Sequence, residues 1–225
     1  MNQITEGRKP QTTRVRFTSL LAFFNFAKSN LDPDFINPCN SPKVRKLFRP
    51  KVKTHFDILE KETVDEIIFR TVKPRNRLIL ELMARGGMRI SEVLKIVPND
   101  IAERKILLRE PKSGHENEMI FIPQKVADRL KDYIKTQNTG LHERVFPIGY
   151  EAARSVVMKA GKLVGIHLRP HDLRRHAATF ASRSGVPLEI VSKIILRHSN
   201  ISTTQIYLGK ISDSEALKWV ETIYS

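Results

Sequence analysis

Arginine and histidine stand three residues apart in the stretch HDLRRHAATF, as His171 and Arg174. That spacing places both on one face if the stretch is helical, with Arg175 and His176 pointing elsewhere. The first is a base that titrates near neutrality, and the second is a planar donor that is always charged. Surface residues also produce such pairs by chance. ARGGMRISEVL adds Arg89, directly after a double glycine, with Glu92 three residues on. Its plain reading is a surface ion pair worth about 0.3 kcal/mol. PKSGHENEMIF puts Lys112 at the tip of a hairpin, where a solvated lysine is ordinary. LRHSNISTTQIY carries His198 and ends on Tyr207. That tyrosine is either a core aromatic or a nucleophile for a phosphate, and nothing within the twelve residues chooses between them.

The elements that must position these residues read mostly as helices. EKETVDEIIFRTV opens on a capping-box pattern, Thr63 with Glu66. PRNRLILELMARGG starts after a proline and stops at Gly86-Gly87, the usual asymmetry of helix ends. RISEVLKI is a second, short helix. RKILLRE and EMIFIP are β-rich runs joined by PKSGHEN, a hairpin signal. Helices are expected again over QKVADRLKDYIKT, YEAARSVVMKAGKLV, PHDLRRHAATFASRSG, PLEIVSKIIL, STTQIYL and SDSEALKWVETI. The fold class is therefore mainly α with a small antiparallel β-sheet. Near the N-terminus Phe17, Leu20, Leu21 and Phe24 form a helical stripe, and Phe23 and Phe26 add apolar surface off it. Such a helix expects partners on more than one side, and little chain precedes it. LDPDFINPCNSP breaks the pattern. KVRKLFRPKVK then holds Lys43, Arg45, Lys46, Arg49, Lys51 and Lys53 with no acid. This run is a solvated linker or a strand of charge that tracks a phosphate backbone.

Composition narrows the partner. The 225 residues carry a formal net charge of +15, which points to a polyanion, nucleic acid or an anionic membrane surface. No apolar run approaches the ~20 residues that span a bilayer. The N-terminus has no secretory apolar region. One cysteine, Cys39, allows no disulfide within the chain and excludes cysteine-rich zinc sites. A reduced intracellular compartment is the default.

Taken in order, the motifs resemble the tyrosine recombinase (phage-integrase) family over most of residues 57–208. GGMRISEVLKI is similar to the family's first arginine box and PKSGHENEMIFIP to its β-hairpin lysine segment. HDLRRHAATFASRSGVPLEIVSKIILRHSNISTTQIY resembles the second arginine box through to the nucleophile. The resemblance implies the integrase catalytic-domain fold and places Arg89, Lys112, His171, Arg174, His198 and Tyr207 at the six catalytic positions. It makes residues 1–42 a helical remnant of a core-binding domain, 43–56 a basic linker, and 57–225 a catalytic domain with a tail helix over 212–224. Double-stranded DNA is the implied partner, with self-association into a synaptic tetramer through the tail helix. The implied location is the cytoplasm at the nucleoid, or the host-cell interior if the source is viral.

The chemistry of a phosphodiester fits the same residues. Its transition state spreads negative charge over the non-bridging oxygens, which Arg89 and Arg174 can clamp. A tyrosine with a pKa near ~10 needs activation, and His171 is the acceptor. Lys112 is the expected acid for the leaving 5′ oxygen and His198 a donor to the phosphate, while Glu92 supports Arg89. The 3′-phosphotyrosine stores the bond energy, so no ATP, metal or other cofactor is expected. A type IB topoisomerase-like enzyme shares this chemistry, and a catalytically silent DNA-binding regulator shares the charge. The six filled positions argue against the regulator, and the long match after Arg174 argues against the topoisomerase. One residue departs from the family pattern. Arg197 stands where glycine is usual, at a cost of roughly 1 kcal/mol if the backbone there is left-handed. It is expected, with Arg175 and the basic run, to contact DNA phosphate.

Overall fold

The stripe on the first helix finds its partners in the segment that follows it. In a computed structural model, which describes residues 7, 10–48, 58–109, 117–208, 217 and 220–222, the chain divides into two units, Met1–His55 and Phe56–Ser225. In the first unit helix α1 spans Pro10–Asn30. Phe17 stacks on Phe48 with ring centroids 4.3 Å apart, and Cys39 completes the small core. Leu20, Leu21, Phe24 and Val44 pack around them. The proline-rich break is thus a return path, pinned by buried Asn37. Its Nδ2 donates to Asn25 Oδ1 at 2.8 Å, and its Oδ1 accepts from the Cys39 amide at 2.8 Å. Phe23 and Phe26 lie off the stripe and stay exposed.

The basic run is partly ordered by this core. Helix α2, Pro42–Leu47, carries Lys43, Arg45 and Lys46 outward, while Phe48 anchors its end. These three cations therefore sit on a folded element. Arg49, Lys51 and Lys53 lie outside the described residues.

The second unit is built around α4, Pro74–Arg85, whose residues from Leu78 to Ala84 are all buried. A helix covered on all sides must be central. Helices α3 (Lys61–Arg70), α5 (Ile90–Val93), α6 (Gln124–Gln137), α7 (Tyr150–Lys162) and α8 (Pro170–Arg183) pack against it. Its one buried acid, Glu81, receives two bonds from Arg129 of α6, at 2.6 and 3.0 Å. Burying a carboxylate needs that pairing. The capping box expected at Thr63 is not where α3 begins. The helix extends back to Lys61, which binds Asp65 at 2.6 Å, and Thr63 lies inside the first turn.

The expected hairpin forms, with an extra short strand. Strands β1 (Ile101–Ala102), β2 (Lys105–Arg109) and β3 (Asn117–Phe121) make an antiparallel sheet in the order β1-β2-β3. Ile106 and Leu108 face the core from β2 and Ile120 from β3, while Met119 and Phe121 are exposed. Glu118 shares the inward side with Ile120, an unusual place for an acid. The hairpin tip, including Lys112, lies outside the described residues.

After α8 the helix expected over PLEIVSKIIL is broken into two pieces. A single α-turn, α9 (Leu188–Ile190), runs into a π-helical turn over Val191–Ile195. Helix α10, Ile201–Leu208, follows and includes Tyr207. Of the tail, Leu217 and 220–222 are helical, and the remainder of 212–224 lies outside the described residues. Among the described residues no helix is long and apolar enough to cross a membrane.

Candidate active site

The Gly86-Gly87 stop does more than end α4. Gly87 adopts φ +61, and a Cβ there would stand 2.8 Å from the Ile195 carbonyl oxygen and 2.9 Å from Ile195 Cγ2. Only glycine lets this turn lie against the π-helical turn. The turn then delivers Arg89 as the residue before α5. Glu92, three residues on, folds back to accept from the Arg89 amide at 2.8 Å and from Arg89 Nη1 at 2.5 Å. The pair expected from the i+3 spacing is therefore real, and it is not a surface pair: Glu92 is buried. Burial works to raise the Glu92 pKa, but Arg197 and Arg89 outweigh it and hold the carboxyl below the usual glutamate range.

Arg174 enters from α8 and is 1% exposed. Its Nη1 donates to the Gly87 carbonyl and its Nη2 to the Leu196 carbonyl. One guanidinium thereby bridges the Arg89 turn and the loop leading to His198. The planar fork of arginine can reach two carbonyls at once, which a lysine cannot. Arg89 keeps 24% of its side chain exposed, so of the two arginines it is the accessible one.

His171 stands in the first turn of α8, exposed on one side and backed by protein on the other. The loss of solvent, then the charges of Arg174, Arg175 and Arg89, lower its pKa against the opposing pull of Asp172. His198 is pushed down to about 4 by burial and by Arg174, Arg89 and Arg197. Both rings are therefore neutral at pH 7. A neutral His171 has a lone pair to take up a proton.

His198 Nδ1 lies 2.9 Å from the hydroxyl of Thr204, which is fully buried and shares a 2.9 Å bond with the Ser192 hydroxyl. The His198 amide also donates to the Ser192 carbonyl at 2.9 Å. A hydroxyl both donates and accepts. With Thr204 donating to Ser192, Nδ1 donates to Thr204; when the relay runs the other way, from Ser192 to Thr204 to Nδ1, the ring carries its proton on Nε2 and can donate outward. Thr204→Val is therefore expected to slow strand cleavage by about ten-fold and to cost about 1–2 kcal/mol of stability, with Thr204→Ser restoring both. Single-turnover cleavage and thermal unfolding measure the two effects.

Arg197 occupies the left-handed backbone considered for it, φ +52, and its side chain lies inside the protein, not directed to solvent. Nη2 binds Glu92 at 2.7 Å, Nη1 donates to the Ile195 carbonyl at 2.8 Å, and Nε lies 3.4 Å from Glu118. Two inward carboxylates draw it in. Arg175 is also largely covered, with 11% of its side chain exposed, and pairs with Asp172 at 3.2 Å. His176 faces away and bonds to the Leu59 carbonyl at 2.8 Å.

Arg89, His171, Arg174 and His198 are thus gathered in one electrostatic cluster. Tyr207 belongs to the helix that starts just after His198; its side chain and all of Lys112 lie outside the described part of the structure. The motif reading missed Thr204, Ser192 and Glu118. Thr204 could have been noticed only as a threonine in the same short run as His198 and Tyr207. Among the described residues no group of three or more His, Cys, Asp or Glu is placed to hold a metal ion.

Comparison with known proteins identifies the family and the fold. The model of the phage integrase family matches residues 57–212. A tyrosine recombinase XerA of Saccharolobus solfataricus is 27% identical over 222 residues, 98% of this chain and 71% of the relative. Among solved structures, the XerH site-specific recombinase bound to a palindromic difH substrate superimposes with a TM-score of 0.77 at 16% identity, covering 99% of this chain and 70% of that one. The Tn1549 transposon integrase in complex with a circular intermediate DNA gives 0.75 at 17% identity, covering 97% and 81%.

Proposed function

Because the chain belongs to the phage integrase family, we propose that it is a site-specific DNA recombinase that cuts and rejoins strands through a 3′-phosphotyrosine. One observation carries the reading: Arg89, Arg174 and two neutral histidines converge from three segments, the Arg89 turn, α8 and the loop of His198, where the helix containing Tyr207 begins. The Tyr207 oxygen attacks the scissile phosphorus as the bond to the 5′ oxygen breaks. His171 takes the phenol proton, and Lys112 supplies a proton to the leaving 5′ oxygen. Arg89 meets a non-bridging oxygen directly. Arg174 supplies fixed positive charge from the floor of the site, where low dielectric strengthens it. His198 donates from Nε2 to the phosphate. Attack by a 5′-hydroxyl reverses the steps, so the bond energy is conserved and neither ATP nor metal is required.

Residues 57–225 form the catalytic domain in this reading. Lys43, Arg45 and Lys46, with Arg49, Lys51 and Lys53, track the phosphate backbone of double-stranded DNA before it. Copies of the chain assemble into a synaptic tetramer, supported by the exposed apolar Leu217 and Val220 of the tail. The protein works where its DNA is, at the nucleoid or inside the host cell of a virus.

The test uses nicked suicide duplexes carrying candidate inverted repeats from the DNA that flanks the gene. A covalent protein–DNA adduct is expected on a denaturing gel, formed in EDTA without ATP, with the modified peptide mapping to Tyr207. No adduct on any such duplex, or an adduct on another residue, overturns the reading.

A further inference from the structure

Arg197 occupies a backbone conformation that suits glycine, and its side chain is buried. Its side chain instead completes a chain of opposite charges. Arg89 binds Glu92 at 2.5 Å, Glu92 binds Arg197 at 2.7 Å, and Arg197 lies 3.4 Å from Glu118. The chain begins at the half-buried arginine of the first box and ends on β3, a strand of the hairpin. Glu118 faces inward on a strand whose neighbouring inward residue is Ile120, with 10% of its side chain exposed, and a cation there offsets its burial. Gly87 joins the network through its carbonyl, which accepts from Arg174 and, at 3.4 Å, from Arg197.

We propose that Arg197 is a positioning residue that holds Glu92 against Arg89 and ties the β-hairpin to the catalytic cluster. The proposal rests on the recombinase reading for its effect on rate, but not for the tie itself. A glycine at this position would make no such bridge. Here the hairpin and the first arginine turn are held by one side chain, so displacement of either disturbs the other. The groups around Glu92 are Arg89 on its own turn and Arg197 from the loop before His198. Lys95, Asp100, Arg109, His142 and Arg144 line an open cavity of about 500 Å³ beside it. Of these, Arg109 is held by Asp100 at 2.7 Å. Without Arg197, the Glu92 carboxylate keeps its burial and loses one of its two closest cations, so it takes up a proton at higher pH.

Three variants separate positioning from bulk stability. Arg197→Gly relieves the left-handed backbone and should fold. Its adduct formation is expected to be about ten-fold slower at pH 7, with the acid limb of the pH profile moved upward through Glu92 and through His198, which also loses a cation that lowers it. Arg197→Lys keeps a cation on one carboxylate and should recover part of the rate and return the limb toward its original place. Glu118→Gln leaves the Glu92 bond intact, so its acid limb should stay in place while amide exchange over Asn117–Phe121 quickens as it does in Arg197→Gly. Adducts are read on a pool of nicked duplexes of randomised sequence, and amide exchange is read by mass spectrometry without DNA. An unmoved acid limb in Arg197→Gly, or β3 exchange equal to that of the unaltered chain, overturns the proposal. Should the unaltered chain form no adduct, the recombinase reading fails, and the exchange measurement alone decides whether Arg197 ties the hairpin.

Discussion

Arg174→Ala slows adduct formation by about a thousand-fold while duplex affinity changes by less than about three-fold; this is the expected result of removing a charge that matters most in the transition state. The side chain is 1% exposed, so it adds little to a phosphate contact made in the ground state. Its charge acts on the reacting group through a dry interior, where removal is felt fully. The pH profile carries a second signature. Arg174 is the strongest of the charges that lower His171 and His198. Without it both rings gain protons at higher pH, and the acid limb of cleavage rises. Stability follows the same sign. His198 titrates near 4 in the folded chain against an ordinary 6.5, so the unfolded chain binds more protons between those values. Folding stability therefore falls as pH drops from 6.5 towards 4, and the variant should show a smaller fall. Arg174→Lys tests the geometry apart from the charge. One ammonium cannot replace the fork that reaches both the Gly87 and Leu196 carbonyls, and a loss of about a hundred-fold is expected. Equal losses of binding and cleavage in either variant would refute this account.

Gly87→Ala has the largest expected effect on stability, about 3 kcal/mol. The left-handed backbone contributes roughly 1 kcal/mol. The clash of the new Cβ with the Ile195 carbonyl, at 2.8 Å, adds about 2 kcal/mol, because neither backbone can move without disturbing the π-helical turn. A melting temperature lower by about 6–12 °C is expected for a unit of this size. Gly149→Ala is the milder comparison: a Cβ there meets nothing within 4 Å, so only the N-cap preference for glycine over alanine, about 0.5–1 kcal/mol, is lost. Cleavage falls with stability in Gly87→Ala, since the same carbonyl orients Arg174 and helps to seat Arg197. A variant that melts like the unaltered chain would show that the turn is not pressed against Ile195.

Several elements were legible from local pattern. The apolar run of α4, its proline start and its double-glycine stop are all short-range signals, and the helix forms where they place it. The β-rich runs flanking PKSGHEN pair as a hairpin for the same reason. Patterns failed where a neighbour in space competed. The Thr63 cap lost to a helix that extends back to a Lys61–Asp65 pair. The segment Leu188–Ile195 reads as a helix, but its last turn widens into π geometry where it meets Gly87.

What the sequence determined by itself was the inventory and its order: arginine boxes around a hairpin, a histidine, a tyrosine, and an excess of positive charge. Residue type limits chemistry, and helical spacing limits which residues share a face, so both can be read along the chain. Tertiary structure alone decided which cation does what. Arg89, Arg174 and Arg197 are the same residue type with the same charge. Arg89 stays partly open, Arg174 is locked to two carbonyls, and Arg197 turns inward to Glu92 and Glu118. The partners that sort them are 2 to 110 positions distant in sequence. The sorting follows from desolvation, because a buried charge persists only where the fold brings an opposite charge or a carbonyl to it.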